Sequence, residues 1–303
     1  MANTPLTVKL DGPGPVIEAV PLTREAFSQF GDVIENPRPD LHPSVASAPT
    51  ASGVLPFDGI SANQGSAIKY QHVSRQINLY SQAPSGVPGV SVMNMFICAA
   101  RVRIPSSPSS PPSPESDAEA GPTTTTTAAA ATFPVRVLER HPFTTQTFLP
   151  LTADSDKNYL VIVAPTLPPS ADDQGLPVPV DLSSYPAGSD YPRPLPGRGL
   201  PDLNGLRAFV ATGKQAVTYG AGTWHAPMVG LGETGTALDF LVVQFANGVA
   251  VEDCQEVYFS SSSKGEVERR GEERITVRLS SRSKPVVPPA AGSAGGGSRL
   301  TRL

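Results

Sequence analysis

The sequence predicts a mostly β fold, a sandwich or barrel with a few short helices, and three observations carry that prediction. Proline supplies 34 of the 303 residues, about twice the usual share, and interior proline removes a helical hydrogen bond and clashes with the preceding turn. The apolar residues fall in short runs separated by turn residues, as in sandwiches and barrels. None of these runs approaches the ~20 residues needed to span a bilayer as a helix. Charge and cysteine content narrow the class further. A net charge of −4 offers no basic footprint for nucleic acid. The first residues, 1–11, lack the basic and then apolar pattern of a secretory leader. Two cysteines, Cys98 and Cys254, make no disulfide framework. An intracellular, reduced protein with no membrane or nucleic-acid partner is therefore expected.

Along the chain, 16–20 reads as a short strand. Residues 21–31 form the clearest helix, with Thr23 as N-cap, Leu22 and Phe27 as hydrophobic staple and Gly31 as the stop. Strands follow at 91–102, 135–141, 145–151, 159–163, 206–210, 216–219, 239–245 and 256–259. Thr212, Gly213 and Lys214 read as a hairpin turn between two of them. Residues 104–132 carry almost no large apolar side chains and cannot offset their ordering entropy, so they read as a disordered insertion. Residues 166–201 are also proline-rich, yet Leu176, Val178, Val180, Leu182, Tyr185 and Tyr191 can dock on a surface, which makes a long, partly ordered loop. From 260 on, only 274–279 reads as a strand. The expected organisation is one domain over 1–259, interrupted twice, and a low-complexity tail over 260–303.

Four histidines are present: His42, His72, His141 and His225. In a strand over 135–141, Val135, Val137, Glu139 and His141 share one face, and Arg136, Leu138 and Arg140 the other. Two valines followed by Glu and His describe a face that begins in a core and ends at a polar pocket. Gln146, on the returning strand, can point into the same pocket. The second cluster runs from Tyr219 through Gly220, Ala221, Gly222, Thr223, Trp224 and His225 to Pro227. Its glycines permit a tight turn, and His225 sits beside the single tryptophan.

Together these clusters resemble a cupin. Ala221-Gly222-Thr223-Trp224-His225 matches the cupin glycine–histidine turn without its proline, and Gln146 stands where a glutamate is usual. The likeness narrows over whole segments: Leu138-Glu139-Arg140-His141-Pro142, Thr145-Gln146-Thr147-Phe148-Leu149-Pro150-Leu151, Tyr159-Leu160-Val161-Ile162-Val163-Ala164, Leu206-Arg207-Ala208-Phe209, Gly222-Thr223-Trp224-His225-Ala226-Pro227 and Asp239-Phe240-Leu241-Val242-Val243. With 21–34 and Asn63-Gln64-Gly65 ahead of Lys69-Tyr70, these resemble the ureidoglycolate lyase family over roughly 16–259.

The resemblance implies a cupin-like double-stranded β-helix barrel and a cytoplasmic homodimer that acts on a small molecule, splitting ureidoglycolate into glyoxylate and urea in allantoin catabolism. That reaction needs a cation for the substrate carboxylate, a base for the hydroxyl proton and an acid for the departing nitrogen. Lys69, Arg101 and Arg140 are the candidate cations, with Asn63 in the turn before Lys69; a guanidinium grips a carboxylate bidentately, an ammonium as a point charge. His225 is the first choice for acid–base work, because imidazole titrates near neutral pH. His141 is the second, as its partner or as a metal ligand. Asp239 is a candidate to orient a histidine, and Tyr219 to donate to a developing oxyanion. His141, Gln146 and His225, with Glu139, form a candidate site for nickel, manganese or zinc, although a neutral amide is a poorer ligand than a carboxylate. Another cupin enzyme, a metal-dependent hydrolase or dioxygenase, and a non-catalytic cupin-type binding module are the alternatives.

Overall fold

The computed structural model describes residues 6–10, 14–46, 54–104, 130–152, 154–181, 194–261 and 275–283. Its chain divides into two units, Met1–Glu35 with Val73–Pro285, and Asn36–His72 with Val286–Leu303.

In the larger unit, the strand Asn158–Ala164 is apolar at nearly every position because both of its faces are covered. Tyr159, Val161 and Val163 face an inner core with Phe27, Phe148, Phe209, Val217, Tyr219, Phe240 and Val242. Leu160, Ile162 and Ala164 face a second core with Leu138, Trp224, Val257 and Val277. Three layers follow from this. The first sheet orders Leu6–Leu10, Gln255–Ser261, Val137–Arg140, Trp224–His225, Asn158–Ala164 and Val229–Leu231, with Arg207–Thr212 also beside Asn158–Ala164. The second orders Val90–Val102, Ala237–Ala246, Gln146–Pro150, Ala216–Tyr219 and Gly31–Ile34. They join where Val229–Leu231 pairs with the far end of Val90–Val102, and the inner core lies between them. A small sheet of Val16–Glu18, Thr276–Leu279 and Ala131–Pro134 lies over the second core. This is the mostly β, cupin-like architecture expected.

Several details differ from expectation. Thr23 does cap a helix, accepting from the Ala26 amide at 3.1 Å, but the helix is only Arg24–Phe27. Gly31 opens a strand instead of closing the helix. A Cβ there would lie 1.8 Å from the Thr218 carbonyl oxygen, so close approach of the neighbouring strand is what requires glycine. Residues 212–214 do turn, yet the strands on either side pair with different partners, Asn158–Ala164 on one side and Gln146–Pro150 on the other. The turn therefore carries the chain from one sheet to the other. Gln215 braces this corner, accepting from the Thr212 amide at 3.1 Å and donating to Glu35 at 2.8 Å.

Most of the expected insertion lies outside the described residues, but its ends belong to the body. Ile104 is buried, and Ala131–Pro134 is a strand paired with Thr276–Leu279. That second strand is the one expected at 274–279, and its Ile275, Val277 and Leu279 are buried in the second core. The proline-rich loop docks only in part through the residues singled out: Leu176 is buried and Val178 half-buried, but Val180 is exposed; the buried Leu195 and the pair of Arg198 with the buried Asp173 also hold it. Leu182, Tyr185 and Tyr191 lie outside the described residues. The smaller unit carries the short hairpin Ile60–Ala62 with Ala67–Lys69.

Candidate active site

Glu139 and His225 stand directly opposite each other on antiparallel strands, so their side chains share one face. Strand alternation sends Leu138, Arg140 and Trp224 the other way, into the second core. Arg140 is fully buried, with its guanidinium 4.4 Å over the Trp224 ring. It donates to Gln255 Oε1 at 2.8 Å, to the Gly197 carbonyl at 2.9 Å and to the Arg198 carbonyl at 2.9 Å. Burial lowers its pKa to about 9, which leaves it charged at neutral pH. Arg140 thus fastens the proline-rich loop to the back of the strand that carries Glu139.

His141 arrives from the end of the same strand. Its carbonyl accepts from the Gly222 amide at 2.8 Å, and Gly222 takes a φ of 77°, a conformation that side chains disfavour. That contact draws the 220–225 turn toward His141, and the two imidazole centroids lie 5.5 Å apart. His141 Nδ1 lies 2.6 Å from the Asp253 carbonyl oxygen, and His225 Nδ1 lies 2.9 Å from that of Thr223. A carbonyl only accepts, so each Nδ1 carries hydrogen, and Nε2 is the ring atom left to exchange a proton or bind a ligand.

Glu139 Oε1 is 3.5 Å from His225 Nε2, and ligand atoms of Glu139, His141 and His225 all lie within 4.8 Å of one another. Three acceptors facing one another require a proton on an imidazole or a bound cation between them. Burial raises the Glu139 carboxyl, but His225 and His141 outweigh it and hold the group below its ordinary value. Burial, reinforced by His225, pushes His141 down. Cys254 Sγ lies 3.9 Å from Glu139 Oε2, and burial beside that carboxylate holds the thiol protonated.

The second sheet supplies the opposite wall. Tyr219, Gln146 and Gln244 are register neighbours across three strands. The Tyr219 ring stacks on His225 with centroids 4.0 Å apart, and burial keeps its hydroxyl protonated. Gln146 Nε2 donates to Gln244 Oε1 at 2.6 Å. Four buried atoms of this neighbourhood have no hydrogen-bond partner: His141 Nε2, His225 Nε2, Gln146 Oε1 and the Tyr219 hydroxyl. Such atoms are costly unless something else binds them.

The structure therefore brings together Glu139, His141, Gln146, Tyr219 and His225. Asp239 stands apart: it is exposed, while Leu238 and Phe240 beside it are buried, so strand alternation turns it away from the histidines it was expected to orient. Arg101 is exposed and covers the Phe133 ring at 4.7 Å. Lys69, exposed, and Asn63 belong to the smaller unit. Sequence reasoning missed Gln244, although its alternation with Phe240 and Val242 was available. It also missed the anchor of His141: Asp253 accepts from the Tyr80 hydroxyl at 2.6 Å and from the amides of Asn247 and Gly248 at 2.8 Å each. A backbone carbonyl as histidine partner leaves no signal in residue types.

The chain is similar to known proteins over most of its length. A family model described as ureidoglycolate lyase matches residues 14–266. The chain is 34% identical over 240 residues to a ureidoglycolate lyase of Schizosaccharomyces pombe, covering 79% of this chain and 89% of that protein. It is 31% identical over 248 residues to one of Saccharomyces cerevisiae, covering 80% and 94%. To one of Pseudomonas putida it is 26% identical over 241 residues, covering 79% and 89%.

Proposed function

We propose, from the premise that this chain belongs to the ureidoglycolate lyase family and cleaves ureidoglycolate to glyoxylate and urea, that the bond breaks in the Glu139–His141–His225 pocket. The observation that carries this reading is the convergence of two imidazoles and a carboxylate within 4.8 Å of one another, with each imidazole Nδ1 already engaged by a backbone carbonyl. The broken bond joins a carbon bearing hydroxyl and carboxylate to a urea nitrogen. As it breaks, the hydroxyl loses its proton and becomes the aldehyde of glyoxylate, while the nitrogen gains a proton and leaves as urea. His225 Nε2 takes the first proton, Glu139 stabilises the imidazolium, and the same proton passes to the departing nitrogen. The protonated Tyr219 hydroxyl donates to substrate oxygen.

A second reading, in which His225 Nε2 is a ligand and not the base, has the same two imidazoles and carboxylate hold a divalent ion such as nickel, manganese or zinc, which they fit by donor type. Bound there, such an ion would polarise a substrate oxygen as a Lewis acid. We place the reaction in allantoin catabolism in the cytoplasm, and read the working form as a homodimer. The support for the dimer is an uncharged strand edge. Among the described residues, Val90–Ile97 pairs only with Ala237–Ala246, and Met93, Met95 and Ile97 are 69%, 58% and 73% exposed. An edge of this kind is normally guarded by charge or covered.

The test is steady-state turnover of ureidoglycolate by folded His225→Ala and Glu139→Gln proteins, before and after chelation. Loss of the proton-transfer group lowers kcat by ~10²–10⁴-fold with a smaller change in KM. Recovery of chelated wild-type enzyme on adding nickel, manganese or zinc supports the metal reading, whereas full activity in metal-free protein supports direct action on the substrate. Wild-type kcat in His225→Ala removes this pocket as the site.

A further inference from the structure

The proton-transfer reading leaves one buried group unexplained, the Gln146–Gln244 pair. Gln146 sits in the middle of a row, with Tyr219 on one neighbouring strand and Gln244 on the other. It is nearly fully buried. Its amide nitrogen is held by Gln244 Oε1 at 2.6 Å, which fixes the amide plane and leaves Oε1 unpartnered. The adjacent Tyr219, stacked on His225, has an unpartnered hydroxyl as well. The row thus offers one acceptor with two lone pairs beside one donor. A ureido group is the chemical complement: N–H donors flanking a carbonyl acceptor. The substrate's carboxylate end has no N–H to offer Gln146 Oε1.

We propose that Gln146 reads the ureido N–H groups of the substrate and that Gln244 is a positioning residue that holds Gln146 in the accepting orientation. This inference rests on the lyase reading for the identity of the substrate, and it assigns which wall of the pocket takes the leaving half. Tyr219 donates to the ureido carbonyl from the same row. Discrimination follows, because a ligand without N–H groups leaves Gln146 Oε1 buried and unpaired, the situation in which a polar site rejects an analogue most strongly.

The test separates the two halves of the substrate by direct binding, independently of turnover. Ureidoacetate keeps the carboxylate and the ureido group but lacks the hydroxyl whose proton must leave, so it is not cleaved. Glycolate keeps the carboxylate and hydroxyl and lacks the ureido group. Both are titrated calorimetrically into wild-type protein, Gln244→Met and Gln244→Glu. Methionine removes the acceptor that holds Gln146, and ureidoacetate binding weakens roughly tenfold while glycolate binding is unchanged. Glutamate keeps an acceptor in place and retains ureidoacetate binding within about threefold. Equal weakening of both ligands in Gln244→Met, or equal loss of ureidoacetate in both variants, overturns the proposal and leaves Gln244 a packing residue. If Gln244→Met does not fold, ureidoacetate bound no more tightly by Gln244→Glu than by Gln146→Glu, whose carboxylate lacks the donor that Gln244 holds, overturns it too. Failure of wild-type protein to turn over ureidoglycolate counts against the lyase reading instead, whatever ureidoacetate does.

Discussion

His141 shows how one residue's surroundings set both chemistry and stability. Its Nδ1 hydrogen goes to the Asp253 carbonyl, and burial favours the neutral ring. The folded-state pKa therefore lies below the unfolded value of about 6.5. As pH falls, the unfolded chain takes up this proton first, so stability is complete above that value and is lost below it. Glu139, also depressed, adds a loss further down, as pH falls through the carboxylate range. Metal-free wild-type protein should show a Tm that declines between about pH 7.5 and about pH 5.5, and His141→Gln should decline less steeply. Parallel slopes would mean that His141 is not held neutral by the fold. At this scale the sequence was a good guide to inward-facing residues, because strand alternation separates Glu139 from Arg140. It was a poor guide to residues such as Asp239, where the polar side chain lies on the solvent face of a strand whose other face is core.

At the scale of elements, strands were legible where burial leaves a continuous or alternating apolar pattern, as in Asn158–Ala164. Boundaries were not, because pairing across long sequence separations fixes them. Ala131–Pro134 is a strand only because Thr276–Leu279 reaches it from the far end of the chain. Gly31 is needed only because the strand containing Thr218 passes so close. The strand Val90–Val102 carries a consequence of its own. Its exposed face holds Met93, Met95 and Ile97 without a charge between Val90 and Ala100. In a two-fold dimer this edge is covered by its own copy. Sedimentation velocity should find wild-type protein dimeric and Met95→Lys, which stands opposite Leu241 on the neighbouring strand, shifted toward monomer, since a buried unpaired lysine at an isologous contact counts twice. A wild-type monomer at the same concentration would remove the dimer reading.

At the scale of the whole molecule, the fold brings groups far apart in sequence into one buried cluster. Glu139 and His141 come from one strand end, His225 from a turn, and Gln146, Tyr219 and Gln244 from the opposing sheet. The family motifs in the sequence located the two histidine clusters; the three-dimensional pairing that sets Glu139 against His225, and the loop contact that anchors His141, lie beyond what residue order conveys. The most direct measurement of the central claim is incubation of the purified protein with ureidoglycolate while glyoxylate, urea and ammonia are quantified separately. Cleavage at the bond between the hydroxyl-bearing carbon and nitrogen gives glyoxylate and urea in equal amounts with little ammonia, and the yield collapses in His225→Ala. Ammonia in place of urea, or no turnover by the folded wild-type protein, would contradict the account.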